Sequence, residues 1–203
     1  MTAAGKPTVP LMLWNIGSIN LGWFTSVLGA ANGYNWLGPA FVAVLVMIHL
    51  NLIPARRREL ATLAAAAAFG YTIDSMMVLA GVFDFPAHAR LGAPSTVWMV
   101  ALWINFAMAL NVALHWLQHR YLLAALLGAI GGPMAYFGGV RFGGLVAPEG
   151  ITVLVGAVAV QWAIATPLVL AGAARIGRWT GEPVPAEATF PGPPRPDPQG
   201  SYR

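Results

Sequence analysis

Apolar residues in this chain gather into long, nearly unbroken runs. They do not form the one-sided stripe of a surface helix or the strict alternation of a half-buried strand. Six runs can be laid out, at residues 11–30, 36–53, 60–83, 97–117, 121–140 and 151–174. Each is close to the roughly 20 apolar residues that carry a helix across a bilayer. Breaker residues mark the joints: Asn32-Gly33 after the first run, Pro54 after the second, Pro86 and Pro94 around the third connection, and Pro148 before the sixth. The pattern predicts an all-α polytopic membrane protein, a bundle of about six transmembrane helices.

Two stretches test that reading. Lys6 precedes the first run and Gly29-Ala30-Ala31 follows it, as in a cleaved signal peptide. The run is longer than the roughly 7–15 residues of a signal core, and it carries Asn15, Ser18, Asn20, Thr25 and Ser26, so it reads as a span. Beyond Arg178 the apolar runs stop. Pro183, Pro185, Pro191, Pro193, Pro194, Pro196 and Pro198 leave little that could form a core. The expectation is a six-helix transmembrane domain over 1–178 and a Pro-rich, disordered cytoplasmic tail over 179–203.

Composition agrees. Hydrophobic residues make up 58% and charged residues 9% of the chain, against roughly a quarter charged in soluble domains, and the mean hydropathy is +0.66. The net charge of +4 does not point to nucleic acid, because the basic residues sit at the ends of apolar runs and not along an aromatic-studded groove. They read as topology signals. Lys6, Arg56, Arg57, Arg58, Arg120, Arg175 and Arg178 fall on one side, and only Arg90 and Arg141 on the other, which places both termini in the cytoplasm. The absence of cysteine excludes disulfides, thiolate metal sites and thiol nucleophiles.

Small residues recur at helical spacing. Ser18, Gly22, Ser26 and Ala30 form a ridge on the first span, Gly128 and Gly132 repeat it on the fifth, and Ala64 to Ala68 smooth the third. Such ridges let membrane helices approach closely, and packing within the bundle is the expected use. Trp14, Trp36, Trp98 and Tyr121 lie near span ends, as interfacial anchors do. Gly131-Gly132-Pro133 interrupts the fifth span, either as a kink used for packing or as a broken helix lining a site.

Polar groups at membrane depth are costly and therefore functional suspects. Asp74 is the clearest, with Asn20, Asn105 and Gln161 at similar depth on other spans. The set reads as a substrate or cation site, as a proton-carrying carboxyl, or as a hydrogen-bonded hub that locks the bundle. A second cluster lies toward the cytoplasmic end: Asn15, His49, Glu59, Asn111 and His115. His115 and His119 are four apart, hence on one helix face. His49, Glu59 and His115 have the chemistry to act on a lipid headgroup or ligate zinc, though histidines near an interface are more often simple contacts. No cofactor or metal is expected. The sole lysine, Lys6, precedes the first span and cannot carry a retinal Schiff base, four histidines are too few for an integral di-iron oxygenase, and no nucleophile elbow is present.

Asn15 with Gly22-Trp23-Phe24, His49, Arg58-Glu59, Gly70 with Asp74, Gly81-Val82-Phe83, Trp98 with Trp103, Asn111, Trp116, and Leu127-Gly128 with Gly131-Gly132-Pro133 through Tyr136 together resemble domain-of-unknown-function family 2878. These are uncharacterised small bacterial inner-membrane proteins. The likeness runs from about Leu13 to about Leu170 and leaves out the tail. It implies no established reaction. It does imply the bacterial inner membrane, and a neighbourhood of lipid-modifying enzymes of the cyclopropane-synthase and flavin amine-oxidase types, near which members are often encoded.

Three readings of function remain open at this point. The first is an accessory or scaffold protein linked to membrane-lipid modification, whose partners are the lipid bilayer and other membrane proteins or lipid-modifying enzymes. The second is a small-solute or proton-coupled transporter using Asp74. The third is a membrane-embedded enzyme acting on lipid headgroups.

Overall fold

The computed structural model describes residues 9–181. The expectations for Lys6 and for the Pro-rich tail beyond residue 181 lie outside the described residues. Six α-helices follow one another: α1 Val9–Ala31, α2 Leu37–Leu52, α3 Arg56–Leu79, α4 Val97–Leu110, α5 Tyr121–Arg141 and α6 Ile151–Thr180. Short 3-10 turns interrupt two connections, at Ala87–Ala89 and His115–Leu117. Among the described residues the only β-pairing is a single bridge between Asp84 and Val146. Three helices, α3, α5 and α6, are long and apolar enough to cross a membrane; α2 and α4 are apolar but shorter.

Several ends differ from the sequence-based expectation. α3 starts at Arg56, so Arg58 and Glu59 lie in helix, and it ends at Leu79. α6 runs on to Thr180, where Gly181 takes the left-handed conformation (φ +66°) that commonly terminates helices. α4 stops at Leu110, seven residues before the apolar run does. From there the backbone closes tight turns, Leu114 N–H donating to Ala109 O at 2.8 Å and His115 N–H to Val112 O at 3.2 Å. His115 therefore sits in a 3-10 turn and His119 in the left-handed region at φ +70°, so the two do not share a helix face. α5 continues as helix through Gly131-Gly132-Pro133 and is not broken there.

The helices pack as a bundle in which α1 touches α2 and α4, α3 touches α4 and α6, and α5 leans almost entirely on α6. Small residues make the close approaches. On the α1 ridge, a side chain at Gly22 would strike the Asn105 carboxamide of α4, and Ser26 fills the space left by Gly38 of α2. On α5, Gly128 meets Thr166 and Gly132 meets Trp162 of α6. The opposite face of α5 exposes Leu122, Leu126, Ile130 and Met134, one per turn. Trp98 is not an interfacial anchor. It is buried, and its indole N–H donates to Ala89 O at 2.9 Å, tying α4 to the Ala87–Ala89 turn. Trp36 and Tyr121 are exposed.

Candidate functional site

Asp74 lies five residues before the end of α3 and is completely buried. Three donors from three other helices converge on it. The Trp103 indole N–H of α4 donates to Oδ2 at 2.7 Å, and the Tyr136 hydroxyl of α5 and Gln161 Nε2 of α6 both donate to Oδ1, at 2.6 and 2.9 Å. Among the described residues no Lys or Arg pairs with it.

Glycine makes this convergence possible. Gly70, one turn before Asp74, leaves the space that the Trp103 ring fills; Gly132, one turn before Tyr136, does the same for Trp162. The two indoles then stack face to face, 4.7 Å between centroids and 9° between planes. The order across the bundle is α3 glycine, Trp103, Trp162, α5 glycine. Offset aromatic stacking adds to the burial of these large surfaces, by about 0.5–1.5 kcal/mol per pair.

On the other side of those rings is a cavity of about 410 Å³, in the size range of ligand pockets. Trp103, Phe106, Tyr136 and Trp162 form its inner wall. α1 and α5, which make no sustained contact with each other, flank its mouth. Asn20 on α1 and Leu127 and Gly131 on α5 are the exposed residues there. Along α5 the lining extends from Leu127 to Gly139, about 18 Å at 1.5 Å per residue. No charged side chain lines it. Toward the α5–α6 connection Trp23, Phe24 and Phe142 pack edge to face, with centroids 5.0 to 6.3 Å apart.

The second polar region lies at the end of the bundle that carries Arg56, Arg57, Arg120, Arg175 and Arg178, hereafter the basic end. His49 Nε2 and Glu59 Oε2 are 3.2 Å apart, both side chains buried. Arg58, also buried, donates from Nη2 to Asn111 Oδ1 at 2.8 Å and lies against Gly177 of α6. Gln118 Nε2 donates to the same Asn111 oxygen at 3.2 Å, and Asn15 Nδ2 donates to Met108 O at 3.0 Å. Asn15 Oδ1, His49 Nδ1 and Glu59 Oε1 are buried without a hydrogen-bond partner among the described residues. His115 stands apart from the His49–Glu59 pair. Burial, with Arg58 and then His119 adding, depresses its imidazole below the usual histidine range, while a hydrogen bond with Gln118 opposes the shift. Among the described residues no group of three metal-ligating side chains is placed to hold a metal.

Of the intramembrane set, Gln161 reaches Asp74, whereas Asn20 and Asn105 do not. Asn105 Nδ2 donates to Ile19 O of α1 at 2.8 Å, and Asn20 Nδ2 to Ile16 O of its own helix at 2.8 Å; both line the cavity. Trp103 and Tyr136, the other two donors to Asp74, were missed as site residues. Their signal in the sequence is the matched spacing of Gly70 with Asp74 and Gly132 with Tyr136. Of the basic-end set, His49 joins Glu59, Asn111 joins Arg58, and Asn15 binds backbone; none lines the cavity.

The family model described as "Protein of unknown function (DUF2878)" matches residues 12–168. No curated protein and no solved structure matches the chain.

Proposed function

The chain belongs to the DUF2878 family, which has no assigned function, and from its geometry we propose that it is a six-span protein of the bacterial cytoplasmic membrane that holds a lipid chain between α1 and α5 and serves as an accessory factor in membrane-lipid modification. One observation carries this reading: an uncharged, ring-lined cavity that opens sideways between two helices and runs about 18 Å along one of them. A cavity of this composition rewards the entry of hydrocarbon and penalises a hydrated ion. Its orientation along α5 matches that of an acyl chain beside a spanning helix.

The two rival readings fit less well. A transporter using Asp74 needs that carboxylate open to a path. Its oxygens instead receive three donors, and Trp103 and Tyr136 stand between it and the cavity. A headgroup enzyme using His49, Glu59 and His115 needs a groove at those groups, and His115 is not joined to the buried pair. Arg56, Arg57, Arg120, Arg175 and Arg178 at one end support a cytoplasmic placement of that end under the positive-inside rule.

Gly131 supplies the test. It lies at the mouth, and a Cβ there meets nothing within 4 Å, so Gly131→Phe fills the cleft without disturbing the core. Wild-type protein extracted with its native lipids is expected to carry bound lipid in native mass spectra, and Gly131→Phe to lose it. A deletion strain is expected to show an altered membrane-lipid profile that wild type restores and Gly131→Phe does not. Equal lipid retention by the two proteins, or an unaltered profile in the deletion strain, overturns the reading.

A further inference from the structure

The proposed cleft accepts a chain but contains nothing to receive a charged headgroup, so any headgroup must lie at its rim. Resting on the reading of the cleft as a lipid site, we infer that the ligand is an anionic phospholipid of the leaflet facing the basic end, with its acyl chain in the cleft and its phosphate on Arg120 and His119.

The segment between α4 and α5 links the two parts. Leu114 and Leu117 line the cavity, and His119 and Arg120 follow directly and are exposed. Arg120 is poised: its guanidinium carbon stands 5.9 Å from the centroid of the exposed Trp116 ring, a cation–π arrangement. Trp116 and Tyr121 bracket it, and such amphipathic rings favour the headgroup layer. His119 holds a left-handed backbone, φ +70°, uncommon for any residue but glycine. Its ring lies 6.2 Å from that of Tyr121. Local strain of this kind persists where the surroundings fix it, and it clusters at functional positions.

The other rim offers no equivalent. The lining residues at that end, Trp23, Val27, Gly139 and Leu145, are not exposed, and Trp23 packs against Phe142, the residue after Arg141. Arg90 on that side is paired with Asp84. The mouth residues Asn20, Leu127 and Gly131 lie in the half of the cleft nearer the basic end. Only at that end do an opening and a cation coincide, and a phosphate is the group a lipid offers to a guanidinium.

The experiment uses the full chain in mixed micelles containing equal amounts of phosphatidylglycerol, phosphatidylethanolamine and diacylglycerol with identical chains, read by native mass spectrometry. Wild type is expected to retain phosphatidylglycerol preferentially. Arg120→Gln is expected to reduce that preference roughly fivefold, the effect of one basic side chain at an anionic surface, with total bound lipid unchanged. His119→Gly relieves the backbone constraint, so it is expected to fold at least as well as wild type and yet lose part of the preference. Equal retention of all three lipids by wild type overturns the headgroup assignment and leaves the cleft reading standing, as does a preference that ignores Arg120→Gln. No retained lipid of any class overturns both. A dimer that excludes lipid and dissociates in Gly131→Phe overturns both in favour of a second copy as occupant.

Discussion

Among the described residues the bundle buries ionisable side chains in two places, on different plans. Around Asp74, one carboxylate meets three neutral donors, each on a different helix, and every donor lies within 2.9 Å. At the basic end, Glu59 meets His49, Arg58 meets Asn111, and several polar atoms of Asn15, His49 and Glu59 are left over. In the first, both carboxylate oxygens are matched, and Gln161 Oε1 is left without a partner among the described residues. The second balances ionisable groups against one another and leaves hydrogen-bonding capacity unused, which in a low-dielectric interior is expensive. Burial of a charge alone therefore does not identify a working site. The state of its hydrogen bonds separates a fastener from a group still able to do something.

The largest loss on substitution is expected at the basic end. Glu59→Ala strands the His49 imidazole and is expected to cost about 3–5 kcal/mol, the usual loss when one member of a buried pair is removed. A thermal melt in detergent reads it. The double variant His49→Leu with Glu59→Leu is expected to lose less than Glu59→Ala alone, and a larger loss would mean that the pair is not the unit assumed here. Next comes the glycine contact beneath Trp103. Gly70→Ala drives a methyl group into the indole and is expected to cost about 1–3 kcal/mol. Gly131→Ala, facing open space, is expected to cost nothing and to gain some helix propensity.

Asp74→Asn places an amide where donors already point, and a loss of about 1–3 kcal/mol is expected as one of them goes unmatched. If Asp74 instead carries a proton or an ion, this variant would melt like wild type and fail to complement a deletion strain. The last effect is pH dependence at His115. Its basicity in the folded state is below that of an exposed histidine, so folding favours the neutral ring. The corresponding stability is fully present above about pH 6.5 and is lost as the pH falls toward the folded value. The melting temperature of wild type should therefore decline more on acidification from neutrality to pH 5 than that of His115→Gln.

The helices were legible in the sequence because hydrophobic runs bounded by Gly and Pro carry their own ends. α4 was misjudged because Ala113, Leu114 and Leu117 keep the run apolar after the helix stops, while the turn is held by contacts no local pattern records, Arg58 and Gln118 on Asn111. Depth along a span was readable; direction around it was not. Asn105 lies two residues after Trp103, about 200° around a helix of 3.6 residues per turn, so with Trp103 on Asp74 it must face α1. Gln161 could be found by depth because its direction happened to be right. The cleft was invisible, since a gap between α1 and α5 depends on how far apart the two helices pack.

Asp74 also has a meaning for assembly. Trp103 comes from the first four helices, whereas Tyr136 and Gln161 come from the α5–α6 hairpin, and α5 has little hold on the rest except through α6. Until the hairpin docks, that carboxylate has one donor instead of three. Correct docking of the last two helices is thus reported at a single atom, Oδ1, which receives both late donors. A chain truncated after α4 would leave that oxygen bare, and it should be recognised and degraded by membrane proteases where the full-length protein persists.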